Sequence, residues 1–153
     1  MNIEQVLRTY GDMLYRLCFV MLRSEADAED AVQETLIRYF QKAPSFSDSE
    51  HEKAWLLKVA ANQCRDTLRL RNRHSHADLD TLPLTAPEVP DRSILEALMA
   101  LPEKYRLVMM LHYVESYRVE DIAKLIHRTP SAVKMRLQKG RQLLRELYRK
   151  EYQ

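Results

Sequence analysis

Residues 119–140 read VEDIAKLIHRTPSAVKMRLQKG and decide the fold of the second half of the chain. Apolar residues recur at helical spacing in two runs, which only the four residues 127–130 separate. Ala123 supplies the small residue that two crossing helices need, and Val133 and Leu137 lie four positions apart on the second helix, where both can pack inward. The stretch therefore predicts a helix-turn-helix.

The outer face of the second of these helices is basic. Residues 128–150 contain eight basic residues and one acid, a net charge of +7. Lysine and glutamine side chains can bond to base edges in the major groove, and arginine is long enough to reach phosphates. An ordinary basic helical hairpin would carry the same charge, but the short turn, Ala123 and Val133 together favour DNA binding.

Periodic apolar residues predict helices along both halves of the chain. The predicted helices are one marked by apolar residues from Ile3 to Met21, then about Ala26–Lys42, Glu52–Arg73, Ser93–Leu101, Glu103–Val114, Val119–Ile126 and Ser131–Lys150. The apolar positions of the first two are Ile3, Val6, Leu7, Tyr10, Met13, Leu14, Leu17, Cys18, Met21, Ala28, Ala31, Val32, Thr35, Leu36, Tyr39 and Phe40. A polar loop over residues 43–51 precedes the third helix, on which the spacing favours Trp55 as a core residue.

The prolines divide the chain into two domains. Three of the six prolines lie in residues 77–91, which contain no basic residue and no amphipathic period, so this segment is predicted to be an extended linker. We expect an all-α fold of two small helical domains, residues 1–76 with three helices and residues 92–153 with four.

Several classes of function are excluded by composition. Only two of the 153 residues are glycine, so the chain lacks a glycine-rich phosphate loop. The five histidines form no ligand-spaced pair with a carboxylate on one helix, and no nucleophile–base constellation appears. We therefore expect no enzyme, no catalytic residue, no metal site and no cofactor. No apolar run approaches a membrane span, no signal peptide is apparent and the two cysteines form no C-x-x-C pair, so a cytoplasmic protein without membrane insertion is predicted.

The net charge of +2 hides a pattern of opposite charges. Residues 25–34 hold five acids and no base, whereas residues 53–73 hold six bases and one acid. A single charge run is usually a solvated face. Two basic helices in separate domains are more typical of a protein that follows a phosphate backbone, since the counterion release from the two adds.

Five segments carry a resemblance to a known family. LPEKYRLVMMLHYVE, VEDIAKL and AVKMRLQKGRQLLREL, between residues 101 and 147, resemble the region-four domain of bacterial sigma factors. DAEDAVQETLIRYF at residues 27–40 and AWLLKVAANQCRDTLR at residues 54–69 resemble region two. With both regions in order and a short linker between them, the chain is similar to the extracytoplasmic-function (ECF) group of the sigma-70 family.

The resemblance implies a promoter-specificity subunit of RNA polymerase. By position, the residues docking on the clamp helices of the largest core subunit would be Asp30, Gln33, Glu34 and Arg38. Those holding the −10 element as single strand would be Phe46, Ser47, Asp48, His51, Lys58, Asn62, Arg65 and Arg69. Those reading the −35 element as duplex would be Ser131, Lys134, Met135, Arg136, Gln138, Lys139 and Arg141. For Phe46, a wall for a flipped base and a plug of the core remain equally open.

The family further implies partners besides promoter DNA. These are core RNA polymerase, through its clamp helices and flap region, and an anti-sigma factor that can hold the protein at the membrane. The competing hypothesis is a stand-alone helix-turn-helix regulator whose first domain dimerises or senses a signal. A dimer face on residues 27–40 would be apolar, so the polar Gln33 and Arg38 favour the sigma factor.

Overall fold

The structure, a computed structural model, describes residues 2–74 and 92–152, so the predicted linker lies outside the described residues. The chain divides into two compact units, residues 1–85 and 86–153. Throughout the described ranges every regular element is a helix and no strand occurs. The expected all-α class is confirmed.

The first unit is a bundle of three helices, α1 (Ile3–Leu22), α2 (Glu25–Lys42) and α3 (Ser49–His74), each in contact with the other two. Side-chain caps start the first two helices, because Asn2 forms a capping box with Gln5 and Ser24 accepts a hydrogen bond from the Asp27 amide. Large apolar side chains from α1 and α3 fill the core, among them Leu14, Leu17, Phe19, Leu56 and Leu57. The three predicted helices are therefore present.

The third helix begins earlier than the periodicity predicts. Asp48 caps it, because the Asp48 Oδ1 atom accepts from the His51 amide at 2.8 Å and the Asp48 carbonyl accepts from the Glu52 amide at 3.2 Å. The loop consequently spans residues 43–48. His51, which the sequence predicts on the loop, belongs to the first turn of α3.

Part of the predicted apolar face of the first unit is open to solvent. Ile3, Leu7 and Phe40 are 53%, 43% and 47% exposed, although their spacing placed them with the core residues. Helical spacing shows which side chains share a face, but whether a neighbouring helix covers that face depends on the packing. Here α1 and α2 leave the outer edges of their apolar faces uncovered.

The second unit contains α4 (Arg92–Met99), α5 (Glu103–Met109), α6 (Val119–Ile126) and α7 (Pro130–Tyr152). The four predicted helices are present, but residues Met110–Val114 extend α5 as a π-helical turn in which the Glu115 amide donates to the Met110 carbonyl. The buried Arg106 guanidinium provides hydrogen bonds to backbone carbonyls at the end of α4. Its Nη1 atom donates to the carbonyls of Met99 and Leu101.

The helix-turn-helix forms at the predicted place. Helix α6 ends at Ile126 and is capped by His127, whose φ of 58° is left-handed. Thr129 caps α7 by accepting from the Ala132 amide at 3.1 Å. Helix α7 thus begins at Pro130 rather than at Ser131, because a proline at the first helical position forfeits no hydrogen bond. The predicted inward residues are buried: Ile122, Ala123, Leu125, Ile126, Val133 and Leu137.

Candidate nucleic-acid and protein-binding surfaces

An aromatic cluster surrounds the loop that precedes α3. The partly buried Phe46 ring stacks on Tyr39, with 6.2 Å between centroids and 15° between planes, and meets Trp55 and His51 edge-on at 5.9 and 5.2 Å. Trp55, predicted as a core residue, is partly buried and also packs on Tyr39, with 6.2 Å between ring centroids. Phe46 thus packs on the cluster and is also partly exposed.

A carboxylate that sequence reasoning missed holds this cluster. The Glu52 side chain accepts hydrogen bonds from the hydroxyls of Tyr10 and Tyr39, each at 2.7 Å, and so links all three helices of the unit. Burial first, and then the bond to Glu52, raise the pKa of Tyr39 to about 12 and raise the pKa of Tyr10 as well. In the sequence Glu52 is only an acid in the first turn of a helix, so no local pattern marks it.

The polar loop residues also bond within the protein. The Ser47 amide donates to Nδ1 of His51 at 3.2 Å, and Asp48 is engaged as the helix cap. The structure therefore brings Phe46, Ser47, Asp48 and His51 together in one place, with each already in contact with a neighbour.

A basic and polar stripe follows the loop along α3. Lys58, Asn62, Arg65 and Arg69 are spaced by four, three and four residues, which places them on one face of the helix. Asn62 and Arg69 are exposed, whereas Lys58 and Arg65 are partly buried. His51 lies seven residues before Lys58 and hence on the same face, so the loop adjoins the N-terminal end of the stripe.

One base of α3 serves the fold instead. The Arg71 guanidinium donates to the Leu22 carbonyl at 2.7 Å and forms a short ion pair with the Asp27 carboxylate. It thereby ties α3 to the junction of α1 and α2. The net charge of residues 53–73 overstates the charge available to a nucleic acid.

The four acidic and polar residues predicted on α2 divide between two directions. Arg38 lies 3.7 Å from Glu34, and its Nε atom lies 2.7 Å from the Gln63 side-chain oxygen once that amide is turned toward it, so Arg38 faces α3. Gln33 is exposed and lines a groove on the other side, toward α1. Asp30 is exposed as well.

That groove was not recognised in the sequence. It has a volume of about 910 Å³ and lies between α1 and α2. Its lining includes four apolar side chains that are each between 43% and 53% exposed: Ile3, Leu7, Ile37 and Phe40. The polar Gln33 and Arg38 therefore share α2 with two exposed apolar residues, Ile37 and Phe40. An exposed apolar patch of this kind is typical of a protein-binding surface.

The first turns of α7 present the predicted duplex-reading residues outward. Exposed side chains on this helix include Ser131, Lys134, Met135, Gln138, Lys139 and Arg141. Arg136 is partly buried, and this burial and then the charge of Arg128 lower the pKa of its guanidinium. The Nη1 atom of Arg141 donates to the Tyr113 hydroxyl at 2.9 Å.

Comparison with known proteins identifies the family. Sigma-70 region 2 matches residues 6–74 and Sigma-70, region 4 matches residues 91–144. RNA polymerase sigma factor CarQ of Myxococcus xanthus is 33% identical over 136 residues, which cover 83% of this chain and 78% of CarQ. ECF RNA polymerase sigma factor SigW of Bacillus subtilis is 27% identical over 94% of this chain and 87% of SigW. This chain belongs to the ECF group of the sigma-70 family.

Solved structures agree with this sigma-factor assignment. The sigma factor RpoE in complex with the anti-sigma factor NepR from Bartonella quintana has a TM-score of 0.76 and 25% identity, covering 95% of this chain and 96% of RpoE. CnrH in complex with the cytosolic domain of CnrY shares the fold, with a TM-score of 0.68, 22% identity and 94% and 85% coverage. The sigma factor thus directs transcription initiation by RNA polymerase, and the stand-alone regulator is not favoured.

Two kinds of feature are absent from the described ranges of this sigma factor. No helix in residues 2–74 and 92–152 has the length and apolar content to cross a membrane. Among the same residues no group of three or more His, Cys, Asp or Glu side chains is arranged to hold a metal ion. Cys18 and Cys64 are buried and are not joined in a disulfide.

Proposed function

We propose that this sigma factor uses three separate surfaces: the α1–α2 groove for core RNA polymerase, the loop with the α3 stripe for the −10 element, and the outer face of α7 for the −35 element. The observation that carries the proposal is that these surfaces differ in the chemistry of their side chains. Exposed apolar groups flank acids on α2, while bases with polar or aromatic partners line α3 and α7. A protein partner and a polyanion need these two different surfaces.

Core polymerase is the proposed occupant of the groove. An interface needs an apolar centre with a polar rim. Ile37 and Phe40 provide the centre. Gln33, Asp12 and Glu29 line the groove around them, and the exposed Asp30 follows Glu29 on α2. The acids give this surface the opposite sign to the two DNA surfaces. It therefore attracts a basic protein surface and repels DNA.

The −10 strand is proposed to bind across the loop and α3. A flipped base needs an aromatic or apolar wall and polar groups at its edge, which the accessible part of Phe46 and the neighbouring Ser47, Asp48 and His51 supply. The phosphates of the same strand can follow Lys58, Arg65 and Arg69, with Asn62 at a base edge. The placement of the loop at one end of the stripe supports this path.

The −35 duplex is proposed to receive α7 in its major groove. Lys134, Met135, Gln138 and Lys139 are exposed while Val133 and Leu137 anchor the helix to the core, so the contact face is rigid. Arg136 and Arg141 lie at its sides for phosphate contacts.

The remaining features complete the proposal. The sigma factor acts in the cytoplasm without catalytic activity of its own, and an anti-sigma factor restrains it, with membrane tethering through that partner. The complex of RpoE with NepR supports the anti-sigma partner, because RpoE matches this chain over almost its whole length. The apolar groove is the surface such a partner would cover to exclude core polymerase.

Run-off transcription with core polymerase on a genomic library tests the proposal and yields the promoter sequence. The double variant Gln33→Ala with Phe40→Ala is expected to lose co-elution with core polymerase. The matched control is Leu70→Ala, which removes a 54% exposed apolar side chain from α3 outside the groove and should leave co-elution intact. Equal core binding by both variants would remove the groove from the proposal.

A further inference from the structure

Helix α7 exposes one large apolar side chain among its polar ones. Met135 is 70% exposed, the highest value among the large hydrophobic residues whose side chains the structure describes as exposed. A single exposed apolar residue on a protein surface is ordinary. The position of Met135 on the helix distinguishes it from such an ordinary residue.

Met135 lies opposite the buried face of α7. It is two positions from each of Val133 and Leu137, which are 0% and 2% exposed, so on a helix turning about 100° per residue it lies about 160° from both. Its chain neighbours Lys134 and Arg136 lie about 100° to either side. Met135 therefore lies at the centre of the outer face of the helix, with a basic side chain on each side.

This arrangement matches the cross-section of the major groove. A helix in that groove meets phosphates along both walls and base edges at the floor. Lys134 and Arg136 are placed for the walls and Met135 for the floor. Of the groups that the four base pairs present in the major groove, the thymine 5-methyl is the apolar one. Any other base edge facing Met135 would lose hydrogen bonds to water without replacement.

We propose that Met135 specifies a thymine in the −35 element by contact between its thioether side chain and the thymine 5-methyl group. This inference rests on the proposed reading of the −35 duplex by α7. It adds the identity of one base and the chemical group that is read.

Substitution of single methyl groups in the DNA tests the inference. Holoenzyme containing the full chain first selects active promoters from a library randomised in the −35 element. Each thymine of a selected duplex is then replaced in turn by deoxyuridine, which removes the methyl and keeps the pairing. Replacement at one position is expected to weaken binding of the duplex about fourfold. This corresponds to the loss of one methyl group from an apolar contact.

The protein side of the test uses three variants. Met135→Ala should bind the unmodified duplex several-fold more weakly and should not distinguish thymine from deoxyuridine at that position. Met135→Leu should restore the distinction. Val114→Ala, which shortens a 42% exposed side chain outside α7, should keep it.

Three results would overturn the inference: a selected element without thymine, a deoxyuridine series without effect, or an effect that persists undiminished in Met135→Ala. Lys134→Ala with Lys139→Ala separates this failure from that of the proposed function. If that pair weakens duplex binding while Met135→Ala shows unchanged methyl dependence, only the thymine contact is wrong. If neither variant alters duplex binding, the proposal that α7 reads the −35 duplex is wrong as well.

Discussion

The loop before α3 and the first turns of α7 are both proposed to contact DNA, yet they are built in opposite ways. Every predicted contact residue of the loop is bonded or stacked within the protein, through the Asp48 cap, the Ser47–His51 bond and the stacking of Phe46 on Tyr39. On α7, Lys134, Met135, Gln138 and Lys139 extend from a helix whose opposite face is locked in the core. A duplex can be met by a rigid helix, whereas a single strand must exchange contacts with the loop.

The largest effect is expected on α7. Lys134→Ala with Lys139→Ala should reduce initiation at −35-dependent promoters about 100-fold, since two base or phosphate contacts at about 1.4 kcal/mol each are lost. The slope of log affinity against log salt should become shallower by about two. Run-off transcription measures the initiation, and filter binding across a salt series with holoenzyme measures the slope.

The control for this pair is Lys124→Ala, an exposed lysine on α6. It should keep initiation and salt slope close to those of the wild type. Equal losses in the control and the pair would mean that only net charge matters and that α7 reads no element.

A smaller effect is expected at the loop. Phe46→Ala should lower the rate of promoter opening about tenfold, because stacking of a base on an aromatic ring contributes about 1–3 kcal/mol. Phe46→Tyr retains the ring and should retain opening. Fluorescence of 2-aminopurine in the −10 strand reports opening directly. If Phe46→Ala lowers only the melting temperature and opening by the folded protein is unchanged, Phe46 is a packing residue.

Tyr39 and Tyr10 offer a finer comparison, because both donate to Glu52 but only Tyr39 stacks on Phe46. Tyr39→Phe and Tyr10→Phe each remove one hydrogen bond and should each destabilise the protein by about 1 kcal/mol in urea unfolding. Only Tyr39→Phe should also slow promoter opening, by about threefold, since it loosens the ring on which Phe46 rests. Equal opening by the two variants would uncouple Glu52 from the loop.

The same tyrosines predict a pH dependence of stability. Folding raises the pKa of Tyr39 from the ordinary 10 to about 12 and raises that of Tyr10 too, so their stabilising contribution is complete below pH 10 and is lost as the pH rises toward 12. The absorbance titration of tyrosinate should show this delayed ionisation. In Glu52→Gln the bond to a carboxylate is gone, and the delay should shrink to the part caused by burial. An unchanged titration in Glu52→Gln would show that the carboxylate has no influence.

The sequence predicts some of these features well and others not at all. Helix α6 was predicted with its observed bounds, because Thr129 and Pro130 mark the turn chemically and the run from Ile122 to Ile126 is strongly periodic. The surface residues of α7 follow from the same periodicity once Val133 is placed in the core. The spacing of apolar residues and the capping residues predict local structure of this kind.

Long-range contacts explain what the sequence could not predict. Glu52 meets Tyr10 across 42 positions of chain, and no local pattern encodes that pairing. The α1–α2 groove was missed for a related reason, since Leu7 and Phe40 have core-like spacing and only the packing of three helices leaves them exposed. The early start of α3 was missed because several residues of the string S-F-S-D-S can cap a helix.

The smallest effects are expected from substitutions at the two glycines, Gly11 in α1 and Gly140 in α7. A Cβ atom at Gly11 would approach Leu7 no closer than 3.7 Å, an ordinary contact, so Gly11→Ala should stabilise the protein by nearly the full helix propensity of alanine, about 1 kcal/mol. At Gly140 the new atom would lie 3.1 Å from Cγ and 3.2 Å from Sδ of Met109.

Met109 is buried against α7, and its flexible thioether must shift by a few tenths of an ångström to accept the methyl group. The strain should cancel most of the propensity gain, so Gly140→Ala is expected to change the unfolding free energy by less than about 0.5 kcal/mol. Urea unfolding of both variants gives the difference, which measures how tightly α5 and α7 approach. A full gain at Gly140 would mean that the Met109 contact yields freely. The rigidity assigned to the reading helix would then have to come from Val133 and Leu137 alone.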